Sequence, residues 1–299
     1  MTRHNKSHGL VLWEVLFLVV LLLFLIGVIV PPLARVKSGP SGPTCGSNLA
    51  GLGKAIWIYA NDYDGQLPRA GGPNASWAAR TPDWKGPDRT EAYDMSGGAQ
   101  VGGQASISAS LYLLVKYMEV PPRQFLCCDR QGYTEKGVSV FSPRAYGVHD
   151  RALIDVWDFG PNPPRHVSYA YHQVYGPHGL TTDSDPNMAI AADRNPWMAS
   201  PFTGARDFST FMPDIPPFTG TKETSLRGNA VSHEGRGQQV LFLDTHVEFV
   251  KRSFCSVDDD NIYTSWDGAD KIRGRPAAFG SVPADPTDSL LVNDPADAK

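Results

Sequence analysis

Hydrophobic residues in this chain form one long run at the start and short, separated patches after it. Leu10 to Val30 is a stretch of 21 residues with a single ionisable group, Glu14. As a helix it spans about 31 Å, which matches the hydrocarbon core of a bilayer. Residues 34–43 (ARVKSGPSGP) then interrupt any continuous helix with two closely spaced Gly-Pro steps. From Cys45 to Tyr63, Leu49, Leu52, Ile56 and Tyr59 recur at helical spacing, which predicts an amphipathic helix ended by Asp64-Gly65. Ile107 to Val120 predicts a second helix, stopped by Pro121-Pro122.

Strand signals follow. Phe125–Cys128 reads as a short strand, and Val138–Phe141 and Ala152–Trp157 are aromatic and β-branched runs. Val167–Tyr175 alternates as a half-buried strand, and Ala189–Arg194 is a small-residue strand ending in a polar turn. Gln239–Leu243 and Val247–Val250 flank Asp244-Thr245-His246 at hairpin spacing. Residues 69–105 read as either a long exposed loop or irregular structure, 196–228 as a Pro-rich loop, and 281–299 as a disordered acidic tail. The fold class expected is α+β, with an N-terminal membrane helix and an amphipathic helix packed on an antiparallel sheet with long loops. The divisions are 1–9, a leader; 10–30, the membrane helix; 31–43, a hinge; 44–280, a globular domain; and 281–299, the tail.

Composition narrows the function classes. Gly (29) and Pro (25) approach a fifth of the 299 residues, which fits short elements joined by loops. The net charge is -4 and no run of Lys and Arg exceeds two, so no basic face is offered to nucleic acid. Charge does set orientation: Arg3 and Lys6 precede the apolar run without an acidic residue beside them. That flank predicts a single-pass protein of the inner membrane, its N-terminus cytoplasmic and its large domain periplasmic or extracellular. Outside the cytoplasm, Cys45, Cys127, Cys128 and Cys255 become disulfide candidates, with buried thiols as the alternative.

A cleaved secretory signal accounts poorly for so long a run ending in Val30-Pro31-Pro32. A plain signal anchor leaves Glu14 unexplained, although a carboxylate within the bilayer costs a few kcal/mol. Gly9 followed by Leu10-Val11-Leu12-Trp13-Glu14 resembles the processing site of type IV prepilins and type II secretion pseudopilins. The resemblance implies that a prepilin peptidase cuts after Gly9 and that Leu10 becomes an N-methylated N-terminus. It also implies that Glu14 pairs with the new ammonium group of a neighbouring subunit during assembly, and that Pro31 bends the helix. The chain departs from the usual Phe-Thr-Leu-Ile-Glu with Leu10, Val11 and Trp13.

Two further segments resemble a pilin-like family common in planctomycetes. CGSNLAGLGKAIWIYANDYDGQLP supplies Cys45, Asn48, Asp62 and Gly65 of one signature. The second resembles a C-terminal pattern of His, nine residues, Asp-Gly and then His-Val, with His233, Asp244 and His246 at its positions. Here ten residues separate His233 from Asp244, and Thr245 stands where Gly is usual. The partners implied are the membrane, other pilin-like subunits and the peptidase.

No compact metal spacing joins the histidines, and no G-x-S-x-G or phosphate loop occurs, so a non-enzymatic role without a cofactor is expected. Asp258, Asp260 and Asn261 offer oxygen donors for calcium, against the ordinary reading of a solvated acidic turn. The expected function is a pseudopilin-like subunit of a type II secretion or type IV pilus-like assembly. The alternative is a signal-anchored periplasmic binding or metal-dependent protein.

Overall fold

A computed structural model of the chain describes residues 13–17, 19–21, 43–98, 101–127, 137–201, 203–214 and 222–296. The chain divides into two compact units, Met1–Gly39 and Pro40–Lys299. In the first, residues 13–17 and 19–21 are helical, and Trp13, Leu16 and Phe17 are exposed. No helix among the described residues is long and apolar enough to cross a membrane. The expectations for Gly9, Leu10, Pro31 and Cys128 fall outside the described residues.

The second unit begins with α1, Pro43–Asp62. Leu49, Leu52, Ile56 and Tyr59 are all buried, as their spacing predicts. The helix stops because Asp64 and Gly65 turn left-handed, at φ 52° and 74°, and the Gly65 amide donates back to the Ala60 carbonyl at 2.8 Å. One face of α1 lies on a sheet. A Cβ at Gly53 would stand 2.7 Å from Leu241 Cδ1, and the Trp57 indole donates to the Leu243 carbonyl at 2.5 Å.

Between helix and sheet come a two-strand parallel pair, β1 (Ser76–Trp77) and β2 (Gln104–Ala105), and the one-turn helix α2 (Arg89–Ala92). Of the two readings for residues 69–105, irregular structure describes them rather than an exposed loop: they carry only these short elements and bury Ala70, Ala75, Tyr93 and Met95. Helix α3, Ile107–Met118, packs against α1. Its first turn is capped by Ser106 and, from far away in sequence, by Asp294, whose oxygens accept from the Ile107 and Ser108 amides at 2.8 Å each.

The main sheet contains β3 (Tyr169–His172), β4 (Ala189–Asp193), β5 (Gln238–Phe242), β6 (Val247–Val250) and β9 (Leu291–Val292). Its order is β6-β5-β4-β3-β9, and every neighbouring pair is antiparallel. A second ribbon, β7 (Thr264–Asp267) with β8 (Asp270–Pro276), lies apart from it, and α4 is the short helix Lys222–Leu226. Alternation sorts the main sheet's side chains. Tyr169, Tyr171, Leu241 and Val292 join the cluster containing α1 and α3, while Ala170, Val240, Phe242 and Leu291 pack with Trp197, Phe211 and Tyr263. A bulge interrupts this in β4: Ala189 pairs with Phe242 but Ala191 with Leu241, so both Ile190 and Ala191 lie on the helix side. β3, β4 and β5 are buried on both faces, so the strand expected to be half-buried at Val167–Tyr175 is fully buried over Tyr169–His172, whereas the edge strand β6 is partly open, with Glu248 exposed.

Three expectations need correction. The strand expected at Phe125–Cys128 does not form over its described residues: Phe125 ends a 3-10 turn, Pro122–Phe125, and the Leu126 carbonyl is taken by the Asn48 side chain rather than by a ladder partner. Ala152–Trp157 likewise contains a 3-10 turn, Leu153–Asp155. Most important, residues 281–296 are no disordered tail: Leu290, Leu291 and Val292 are fully buried, and β9 forms an edge of the sheet. The acidic residues suggested solvation there, but Asp288 and Asp294 are buried hydrogen-bond acceptors.

The β5–β6 hairpin follows its sequence signal closely. Its loop, Leu243-Asp244-Thr245, has the three-residue form in which a turn is followed by a left-handed residue. That residue is Thr245, at φ 75°, where a β-branched side chain is strained. Thr245→Gly is expected to raise the stability of the domain by about 0.5–1 kcal/mol, read as a higher melting temperature. An unchanged or lower midpoint would show that the turn does not hold this strain.

Candidate functional site

Cys45 lies in the first turn of α1, and Asn48, one turn on, sets what faces it. The Asn48 side-chain amide donates to the Leu126 carbonyl at 2.9 Å, and Gln124 Nε2 returns a bond to the Asn48 carbonyl at 3.2 Å. The segment carrying Cys127 is thereby held along the start of α1. Tyr169, from β3, completes the brace with its hydroxyl 3.5 Å from the carbonyls of both Cys45 and Leu126.

His233 enters from the turn that precedes β5. It and Glu234 are both left-handed, at φ 60° and 59°, an arrangement that costs about 1–3 kcal/mol for each non-glycine residue and points to a positional demand. The His233 ring stands edge-on to Phe249, with centroids 5.8 Å apart. Its Nε2 lies 3.5 Å from Cys127 Sγ and 3.1 Å from Asp193 Oδ2, at the end of β4. Cys45 Sγ, Cys127 Sγ and the His233 ring nitrogen all lie within 4.8 Å of one another. The cluster is closed to solvent, with Cys45 and Asp193 at 0% exposure and the His233 side chain at 3%.

Each group changes the ionisation of the next. The bond between the two sulfurs outweighs burial and brings the Cys45 thiol down to about 6. The same bond, together with burial, pushes Cys127 up. Burial opposes a charged His233, but the Asp193 carboxylate and Cys45 override it and raise the imidazole to about 10. The coupling favours a thiolate at Cys45 over Cys127 and a protonated His233 beside them. Asp193 Oδ2 also accepts from the Gln239 amide at 2.8 Å, whereas its Oδ1 is buried with no hydrogen-bond partner.

Other residues singled out in the sequence lie elsewhere. Asp62 is exposed at the end of α1, and Gly65 is its stop. Asp244 sits at the hairpin tip, where it accepts from the His246 amide at 3.0 Å and contacts the His246 ring at 2.5 Å. The two halves of the C-terminal signature therefore separate: His233 turns inward to Asp193, and His246 stacks on Phe242 at 4.3 Å. His166 is bonded to the Tyr146 hydroxyl and the Ser139 carbonyl, a structural role. Among the described residues no disulfide joins Cys45, Cys127 or Cys255, and burial pushes the Cys255 thiol up.

The calcium candidates do not converge. Asp258 is exposed and reaches Lys271 Nζ at 3.2 Å, whereas Asp260 is buried and accepts from the Trp266 indole and the Ser289 amide. Asn261 is spent on the backbone, donating to the Ile272 carbonyl and accepting from the Tyr263 amide. Of the three, Asp260 ties the β7–β8 ribbon, through Trp266, to Ser289 in the segment before β9.

Sequence reading singled out Cys45, Cys127 and His233 separately and missed Asp193. Cys127 and His233 are 106 residues apart, so no local spacing joins them. The available signal was the position of Asp193 at the end of an otherwise apolar strand, where a carboxylate requires a buried partner. Comparisons of the chain with protein-family models, curated proteins and solved structures find no match.

Proposed function

We propose that this chain is a membrane-anchored, pseudopilin-like subunit that is cut after Gly9 and assembles with other pilin-like subunits in a type II secretion or type IV pilus-like apparatus. The observation that carries the reading is Glu14 within the apolar run 10–30. It lies in a helical segment whose neighbours Trp13, Leu16, Phe17 and Val20 are exposed, at 71%, 62%, 58% and 58%. Such a surface requires a bilayer or apolar partners to cover it, and a carboxylate is costly enough within it to mark a functional position. In the proposed assembly Glu14 pairs with the ammonium group on Leu10 of an adjacent subunit. A large head built from a helix laid on an antiparallel sheet is compatible with this role.

The mass of the mature N-terminus tests the proposal. A chain beginning at N-methylated Leu10 is expected, and an intact Met1 in cells that contain a prepilin peptidase would refute it. Glu14→Ala is expected to leave cleavage intact and to reduce co-assembly with wild-type subunits at least tenfold. That loss corresponds to about 1.4 kcal/mol or more, within the range for removing one partner of a buried pair. Normal assembly by Glu14→Ala would remove the basis for the pairing.

The alternative, a signal-anchored periplasmic binding or metal-dependent protein, is favoured by one observation, the buried sulfur–imidazole cluster. That cluster does not conflict with assembly, because it lies inside the head.

A further inference from the structure

We infer that Cys45, Cys127, His233 and Asp193 form a structural zinc site that fastens the start of α1 to the sheet. Four separate segments deliver these groups to one buried point: the first turn of α1, the loop after Pro122–Phe125, the left-handed turn before β5, and the end of β4. The donor set is two thiolates, one imidazole and one carboxylate, which suits a tetrahedral site for Zn²⁺.

The spacing agrees. With Zn–S about 2.3 Å and Zn–N about 2.05 Å, a tetrahedron has a sulfur–nitrogen edge of about 3.5 Å and a nitrogen–oxygen edge near 3.3 Å. The structure has 3.5 Å from Cys127 Sγ to His233 Nε2 and 3.1 Å from that nitrogen to Asp193 Oδ2. The two sulfurs and the ring nitrogen lie within 4.8 Å of one another, whereas the Asp193 carboxylate, farther from at least one sulfur, must move in to close the fourth position, and the protons between these atoms leave to solvent.

Two observations distinguish this site from a simple disulfide position. A disulfide has no use for an imidazole and a carboxylate directed at its sulfurs, nor for two consecutive strained residues at His233 and Glu234. Asp193 also keeps a buried oxygen without a partner, a costly arrangement that a cation beside the carboxylate relieves. Burial excludes a substrate-sized molecule but admits an ion, so the site reads as structural rather than catalytic. The inference does not depend on the pilin-like reading, since it concerns only the interior of the head.

The test uses the full chain, purified in detergent without chelator, with its metal content measured by plasma mass spectrometry. One zinc per chain is expected. Replacement of the zinc by Co²⁺ should produce the thiolate-to-metal absorption of a tetrahedral site. Cys127→Ser should lose at least ten-fold in zinc affinity, whereas Cys255→Ser, outside the cluster, should retain full occupancy. Should Cys127→Ser fail to fold, the wild-type zinc count and cobalt spectrum still decide. Zinc far below one per chain overturns the inference, whether the thiols are reduced or are found by mass spectrometry as a Cys45–Cys127 disulfide. In that event the reading from Gly9 and Glu14 stands unaffected, because the N-terminal mass tests it separately.

Discussion

A chain ending at Gly280 is expected to lose its cooperative melt and to be digested rapidly by protease. The deletion removes Leu290, Leu291 and Val292, all fully buried, and each contributes about 1.5–3 kcal/mol by leaving water. It also removes Asp294, which accepts from two amides in the first turn of α3 and from the Trp77 indole at 3.0 Å. Arg80 loses its carbonyl partners at Pro295 and Ala296. The combined loss is about 6–10 kcal/mol, comparable with the whole stability of an ordinary domain. Asp294→Ala is the milder form, expected to destabilise by about 2 kcal/mol through two unsatisfied amides. Circular dichroism melts and limited proteolysis read both. A truncated chain that melts within a few degrees of the full one would contradict the role given to β9.

The second large effect is with pH. Asp158 is buried beside Asp294, and burial raises its carboxyl to about 7 despite bonds from the Ser106 and Thr81 hydroxyls. Asp260, buried near Asp288, is raised to about 8. A carboxyl whose folded pKa is raised binds its proton more tightly in the native state. Its contribution therefore increases as pH falls below the folded value and is lost as pH rises through it. His172 acts in the opposite sense, since burial lowers it to about 4 and the native state weakens as pH falls from 6.5 towards that value.

The net expectation is that the head becomes more stable from pH 8 to about pH 5.5, by on the order of 3 kcal/mol. Each proton held only by the folded state adds about 1.4 kcal/mol for every pH unit of that fall. Asp158→Asn should flatten part of that slope, because the surrounding Ser106, Ser108 and Thr81 hydroxyls can reverse their roles around an amide. Denaturant midpoints measured across this range check both statements. A profile that rises towards pH 8 would mean that these carboxyls are ionised in the native state.

The helices were readable in the sequence because α1 buries residues at regular helical spacing and α3, buried continuously from Ile107 to Val115, is a long apolar run before a clear Pro121-Pro122 stop. The β5–β6 hairpin was equally legible, but Thr245 in the place where Gly is usual argued against a left-handed residue there, and it is left-handed all the same, at φ 75°. Elements built by distant contacts were not. β9 is two residues long and lies in an acidic, proline-containing stretch, and nothing local indicates that it pairs with β3. The candidate site failed in the same way. Each of Cys45, Cys127 and His233 drew notice, yet their meeting depends on the Asn48 brace and on the turn before β5. Asp193 was hidden by its strand, where one polar residue after Ala189–Ala192 looked like a turn.

The strand order has a kinetic consequence. Tyr171 must find Val292 about 120 residues further along the chain before the β3 edge is closed. Until that search ends, a strand containing Tyr169 and Tyr171 presents an open row of amides and carbonyls. Closing so distant a pairing places the domain among the slow, topologically complex folders rather than the fast local ones. Its hazardous interval is therefore the time during folding before β9 docks, when β3 can pair with the wrong chain.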